Sequence, residues 1–458
     1  MDLNKINKIF FIGLGGSGVS ALARIFHARG AAVSGSDAAE SEITADLRRE
    51  GIEVFTGQSA ENISADFDLI VYSVAVPEDN PERLRVRELG LPELSYPQLL
   101  GLLIKDKYGI GVSGTNGKTT VTALLGKIFL DAELDPTIVV GSKVDYLQGN
   151  ARAGNGDCLI FESDEYRRAF DNYEPKMAVL TYITEDHLDY YRDLAEIKSA
   201  FNNYLKKIPA DGYIIVNNDD ANSLAIVAGC PAKIITFGIN APADFSVENI
   251  RTENGRQYFN VKEKNQAGVS EISLKLPGKY NVYNALAAIA AARTSGIAWP
   301  MIIKALEDFN GVWRRFELMG KLSGVKIIVD YAHTPDAISK VIQATKEFYP
   351  GQKILTIFQP HQYSRTKNLF KGFSEAFSGA DKVIIADIFY VKGREKPEDF
   401  SVSSDKLAGA IKANGVDAVS GGNLQQTEKI IRELAKDFAV ILILGAGDIY
   451  ELAKNLVK

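Results

Sequence analysis

The chain has 458 residues, with 52 Lys and Arg against 58 Asp and Glu, a formal net charge of -6 and four histidines. That balance excludes the basic field that draws a protein onto nucleic acid or anionic lipid. Cys158 and Cys230 are too few for a disulfide scaffold or a structural zinc site. The length suits about three domains, and small solutes are the expected partners, with no nucleic acid and no membrane. The opening MDLNKINKIFFIGLGG lacks the basic flank, apolar core and cleavage site of a secretory signal. No apolar run approaches the ~18 residues of a membrane span, so a soluble, reduced, cytoplasmic protein is expected.

In chain order, KIFFI at 8–12 predicts a buried strand, GLGGSGVS a turn and ALARIFHARG a helix, followed by AAVSGSD, a strand ending in Asp37. Strand, glycine turn, helix, strand and acid open a dinucleotide-type βαβ unit. It continues through DFDLIVYS at 66–73 and thins out near residue 105. A second start, KYGIGVSGTNGKTTVTALLGKIFL, again reads strand, glycine turn and helix, with strands at DCLIFES (157–163), MAVLTYIT (177–184) and GYIIVNN (212–218). Residues 240–275 alternate and predict an antiparallel patch, and PGKYNVYNALAAIAAARTSG returns to helix between Gly and Pro punctuation. Near 320 the pattern restarts with VKIIVDYAH, KILTIFQPH, DKVIIADIF and AVILILGAGDIY. The expected class is α/β in three domains, near 1–105, 106–317 and 318–458: an N-terminal Rossmann-like domain, a central P-loop-type mostly parallel sheet and a C-terminal Rossmann-like domain.

The stretch GVSGTNGKTT departs from the strict phosphate-loop register, because Val112 stands where a glycine is usual. Gly114, Thr115, Asn116, Gly117, Lys118, Thr119 and Thr120 still make a phosphate cradle. Gly114 and Gly117 let backbone N–H groups curl round oxyanions, Lys118 brings charge to the outer phosphates, and Thr119 offers a hydroxyl to Mg2+ at a helix N-terminus. A bare glycine turn explains the glycines but not Lys-Thr-Thr opening a helix. A metal site needs an acid on a neighbouring strand, and Glu162 at the end of DCLIFE supplies it, with Asp164 and Glu165 as blander alternatives. His187, in TYITEDHLDYY, follows another strand and suits a metal or phosphate role against a simple loop histidine; Lys198 lies on a helix returning over the site.

In the first domain Gly13, Gly15 and Gly18 form GxGxxG, with Asp37 ending the next strand. Alone this fingerprint says NAD-dependent dehydrogenase. The same turn holds any diphosphate, and an ATP-type turn in the next domain favours a nucleotide-linked substrate instead.

These motifs, with ESDE, EDHLD, PGKYNVYNALAAIA, GVWRRFE, DYAHTP, FQPHQYSRTKNLF and GAGDIY following in order, resemble the Mur ligases over essentially the whole chain. The chain looks most like the members that join L-alanine to UDP-N-acetylmuramate. The resemblance implies an ATP-dependent amide ligase of peptidoglycan synthesis using ATP and Mg2+. It implies that Lys118 meets the outer phosphates, that Thr119 and Glu162 hold one Mg2+, and that His187 helps hold a second. Asn284 and Arg315 would contact the nucleotide, as would Asp330 and His333; His361 and Arg365 would face the muramoyl and amino-acid side. Gly13, Gly15, Gly16, Ser17, Gly18 and Asp37 would hold the UDP part, and Lys198 sits where related ligases carry a carbamylated lysine.

Three positions depart from the L-alanine-adding pattern: Asn116 in the loop, AHTP at 332–335, and Gln362. They leave the incoming amine open between L-alanine and the tripeptide L-Ala-γ-D-Glu-meso-diaminopimelate, which a recycling ligase adds to the same acceptor. A dehydrogenase accounts for residues 8–37 and little beyond, a folylpolyglutamate-type ligase has no need of the first domain, and a non-catalytic scaffold has no need of Lys118, Glu162 and His187. The expected chemistry is phosphorylation of the lactyl carboxylate by ATP, then attack of the amine on the acyl phosphate, with a phosphate oxygen as one candidate base.

Overall fold

The computed structural model describes residues 1–187, 190–253, 255–391 and 395–458. The first sheet consists of β1 (Lys8–Ile12), β2 (Ala32–Asp37), β3 (Glu53–Thr56), β4 (Leu69–Tyr72) and β5 (Glu93–Ser95), in the order β3-β2-β1-β4-β5. All its pairs are parallel. The chain reverses direction across the sheet between β1 and β4, and the glycine turn leaves β1 at that switch point, where open α/β sheets bind ligands.

The second sheet comprises β6 (Tyr108–Ser113), β7 (Thr137–Val144), β8 (Gly149–Arg152), β9 (Cys158–Glu162), β10 (Met177–Leu180), β11 (Tyr213–Asn217), β12 (Lys233–Gly238), β13 (Phe245–Glu253), β14 (Arg256–Glu263) and β15 (Ser270–Leu274). Its order is β15-β14-β13-β12-β11-β10-β6-β9-β7-β8. β6, β9, β10, β11 and β12 run parallel, and β7–β8 is an antiparallel edge hairpin. The expected antiparallel patch is joined to the strand before it by a parallel pair, β13 on β12. β14 follows β13 after two residues, a connection too short for a parallel crossover.

The third sheet has β16 (Glu317–Leu322), β17 (Val325–Asp330), β18 (Ile354–Phe358), β19 (Lys382–Ala386), β20 (Ala418–Gly422) and β21 (Val440–Leu444), ordered β16-β17-β21-β18-β19-β20. Only β16–β17 is antiparallel. β18 and β21 are buried at every residue, as expected of parallel strands covered by helices on both faces.

The chain gathers into two compact units, one of Met1–Asn249, Phe259–Ile272 and Val282–Phe309, the other of Ile250–Tyr258, Ser273–Asn281 and Asn310–Lys458. Within the first unit one continuous core cluster runs from Ile9, Leu22 and Phe26 through Leu99 and Leu103 to Leu159, Phe161 and Phe201, beside a smaller one on the other face of the first sheet round Phe10, Ile70 and Val86. The first two sheets therefore share an interior. Polar latches reinforce it: Arg24 donates to Asn150 at 2.6 Å, Asn150 donates to the Ser17 carbonyl at 2.6 Å, and Lys143 pairs with Glu42 at 2.9 Å. Among the described residues no helix is long and apolar enough to cross a membrane.

Candidate active site

The phosphate turn is set by β6 ending and the helix Lys118–Asp131 beginning within five residues. That helix is anchored by buried Val121, Leu124, Leu125, Ile128 and Phe129, so its N-terminus cannot shift. Gly114 and Gly117 have φ of +127° and +91°, and a Cβ on Gly114 would stand 2.1 Å from Thr181 Oγ1. A Cβ on Gly117 would stand 2.5 Å from Asn284 Oδ1, which places Asn284 against the turn. Thr181 Oγ1 donates to the Asn116 carbonyl at 2.6 Å, and Thr115 is tied to Tyr182 and Thr184. Among the described residues no acceptor meets the N–H groups of Asn116, Gly117, Lys118, Thr119 and Thr120. Donors left at a helix N-terminus without side-chain caps make an anion cradle.

Lys118 reaches back over this cradle. Its Nζ donates to the Gly114 carbonyl at 2.7 Å and to both oxygens of Glu165, at 2.9 and 2.8 Å. Burial works against the ammonium, but the carboxylates round it, Glu165 first and then Asp164 and Glu162, together outweigh burial and hold Lys118 above the ordinary lysine range. Glu162, the last residue of β9, pairs in register with Val112, two residues before Gly114. It accepts from Thr119 Oγ1 at 3.1 Å and from the Gly141 N–H. Burial pushes its carboxyl up against those donors and Lys118.

His187 has φ +52° and lies 4.7 Å, ring to ring, from Tyr166, with Nε2 3.7 Å from Glu165 Oε1. Ligand atoms of Asp164, Glu165 and His187 all lie within 4.8 Å of one another. The structure thus brings Thr119 and Glu162 together, and groups His187 with the two acids that sequence reasoning ranks below Glu162. A hydroxyl and carboxylates are the hard oxygen donors that suit Mg2+. Lys198, on the helix Leu194–Leu205, has its Nζ 3.4 Å from Asn222 Oδ1.

The first glycine turn is built differently. Asp37 Oδ2 accepts from the Gly15 N–H at 2.8 Å and Oδ1 from Ala39 at 3.2 Å, so this acid braces the turn itself. Gly16 caps the helix Ser17–Ala28. Gly13 packs on Ser73, and a Cβ on Gly18 would stand 2.6 Å from the Tyr96 ring.

In the second unit Asp330 ends β17 and accepts from the N–H groups of Phe316 and Ala332, each at 2.8 Å. Burial raises its carboxyl, opposed first by Arg315. Arg315 lies over the Tyr331 ring at 5.2 Å, and His333 Nδ1 is 2.9 Å from the Tyr331 carbonyl. His361 stacks on Phe389, its Nδ1 3.4 Å from Arg365 Nη1. Buried Arg314 donates to the carbonyls of Gly445 and Gly447, joining the WRRFE and GAGDIY segments.

Three family descriptions match consecutive segments: "Mur ligase family, catalytic domain" over residues 8–108, "Mur ligase middle domain" over 112–292, and "Mur ligase, glutamate ligase domain" over 314–447. The UDP-N-acetylmuramate–L-alanine ligase of Acetivibrio thermocellus is 40% identical over 100% of this chain and 97% of its own. The enzyme of the same name from Clostridium novyi is 39% identical over 100% and 98%.

The chain belongs to the Mur ligase family.

Its three-domain α/β architecture is shared with solved members. The UDP-N-acetylmuramate-alanine ligase of Thermotoga maritima superposes with a TM-score of 0.84 at 31% identity, covering 98% of both chains. A murein peptide ligase from Psychrobacter arcticus gives 0.72 at 23% identity, again over 98% of both, and that likeness speaks to fold alone. Within this Mur ligase the pairing of Lys118 with Glu165 was not legible from spacing. Three acids lie within four residues of the end of β9, and only the course of the chain after Ser163 turns one of them onto the lysine.

Proposed function

We propose that this Mur ligase joins L-alanine to the lactyl carboxylate of UDP-N-acetylmuramate, cleaving ATP to ADP and phosphate. The observation that carries this reading is end-to-end identity of 38–40% to several enzymes named for that reaction. We assign residues 1–105 to the UDP-sugar, 106–317 to ATP and 318–458 to the C-terminal ligase domain, with the reaction in the cytoplasm.

A carboxylate repels an amine nucleophile and has no good leaving group, so the γ-phosphoryl of ATP is transferred to it first. The cradle of residues 114–120 would orient the phosphates and Lys118 would exchange Glu165 for a phosphate oxygen. Thr119 and Glu162 would hold one Mg2+ and His187 would help hold a second; when bound, Mg2+ neutralises charge on the phosphoryl oxygens. The amine of L-alanine then bonds to the acyl carbon and phosphate leaves. Asn284 beside Gly117 would contact the nucleotide, as would Arg315, Asp330 and His333, while His361 and Arg365 would face the muramoyl and alanine groups. Gly13, Gly15, Gly16, Ser17 and Gly18 would hold the UDP diphosphate, with Asp37 bracing that turn.

The test is phosphate release from Mg-ATP and UDP-N-acetylmuramate with L-alanine, with L-Ala-γ-D-Glu-meso-diaminopimelate, or with neither, and products identified by mass. Release with L-alanine alone is expected. Release with the tripeptide alone would overturn the choice of amine and leave the ATP site standing.

A further inference from the structure

Two consecutive arginines after the acid cluster carry a backbone that L-residues avoid. Arg167 has φ 50° and ψ 27°, Arg168 φ 57° and ψ 35°. Both are left-handed, a conformation that sets Cβ against the following carbonyl and that glycine adopts without strain. Strain kept at a non-glycine position points to a side chain that is needed there.

What the turn achieves is visible in its contacts. The Arg167 guanidinium lies 5.5 Å from the centre of the Tyr166 ring, and Tyr166 lies on His187. Arg167 Nη1 donates to the Val74 carbonyl at 3.1 Å. Val74 follows Ser73, the residue packed against Gly13, so the guanidinium reaches from the phosphate-loop acids to the rim of the first glycine turn. Arg167 is exposed, and its Nε and Nη2 have no partner among the described residues.

That turn is short of positive charge. GLGGSG carries no charged side chain, and its nearest acid, Asp37, is bound to the Gly15 N–H. A helix N-terminus offers about half a charge, whereas a diphosphate brings two. An arginine fork supplies both a full charge and paired donors.

We propose that Arg167 is a substrate-binding residue that clamps the diphosphate of the nucleotide-sugar acceptor, reaching across from the acid loop of the ATP-binding region. The inference rests on the reading of residues 1–105 as the UDP-sugar domain. Titration calorimetry with UDP-N-acetylmuramate and with plain UDP tests it on wild type, Arg167→Gly, Arg167→Met and Arg167→Lys. Arg167→Gly removes the guanidinium while relieving the backbone, so its melting temperature should equal or exceed that of Arg167→Met. Both should bind either ligand about ten- to thirtyfold more weakly, with KM for ATP and L-alanine unchanged and Arg167→Lys intermediate. Wild-type affinity for both ligands in folded Arg167→Gly overturns the proposal. Weakening for UDP-N-acetylmuramate but not for UDP also overturns it, since the arginine would then serve the sugar acid. If wild type binds neither ligand, the reading of the first domain fails instead.

Discussion

The contact most open to a single substitution is the Lys118–Glu165 pair. Glu165 is buried and Lys118 largely so, at 3% and 15% exposure, so their charges interact with reduced screening by water. Glu165 is the resident counter-ion of the lysine proposed to meet phosphate. Glu165→Gln keeps the volume and removes the compensating charge, and breaking such a pair costs about 3–5 kcal/mol. The variant should therefore melt well below wild type without nucleotide, and Mg-ATP should stabilise it by a larger increment than it does wild type. Thermal melts with and without a non-hydrolysable ATP analogue check this; an equal ligand-induced increment would mean that Glu165 does not compete with phosphate. Lys118, Thr119 and Glu162 were legible in the sequence because strand, glycine turn, helix and strand-end acid leave them few places to go. Glu165 and Arg167 were not: three acids compete at the end of β9, and no residue in ESDEYRR announces the left-handed turn that carries Arg167.

At the level of elements, one carboxylate ties the start of the helix Lys279–Thr294 to the end of β11. Asp219, just after β11, accepts from the N–H groups of Ile239, Asn240 and Ala241 at 2.7, 2.9 and 2.7 Å and from the Tyr283 hydroxyl at 2.7 Å. Tyr283 precedes Asn284, so the same bonds fix the amide that lies against Gly117. Burial alone would raise the Asp219 carboxyl, but the four donors outweigh it and hold it below the ordinary carboxylate range. A carboxyl depressed in the folded state stabilises the fold above the unfolded value of about 3.9 and loses that contribution as pH falls through the folded value. Asp219→Asn should cost about 1–3 kcal/mol near neutrality, with the gap closing in acid. Urea titrations of both proteins at pH 7 and at steps descending below about 3.9 decide the matter, and a gap that does not narrow as the acid steps descend would refute the assignment. The long apolar strands of all three sheets were readable from sequence, as was the helix Lys279–Thr294. The edge elements β3, β5, β7, β8 and β16 were not, because short or mixed strands at a sheet margin carry no run or alternation that distinguishes them from loop.

Over the whole molecule, the sequence presents the first glycine-turn region and the phosphate-loop region as separate bodies, and the structure makes them one interior. Asn150, on the edge strand β8, is the polar centre of that union. It is 3% exposed, accepts from Arg24 Nη1 at 2.6 Å, and donates to the Ser17 carbonyl at 2.6 Å and to Ser20 Oγ at 3.1 Å. Its partners lie 126 to 133 residues away, which is why no local pattern marks it. Arg24 is held from its other side by Glu50, with two bonds of 2.7 Å. Asn150→Ala leaves a buried carbonyl and part of a guanidinium unmet, a loss of about 2–3 kcal/mol. Because Ser17 opens the helix at the first glycine turn, the turn proposed to hold the UDP part, the same change should raise KM for UDP-N-acetylmuramate while leaving KM for ATP near wild type. Arg24→Met paired with Asn150→Ala gives a thermodynamic cycle in which contacting residues couple by more than about 0.5 kcal/mol. Coupling of that size means that Arg24 and Asn150 act as one latch between the two sheets, and additive losses would make the latch incidental.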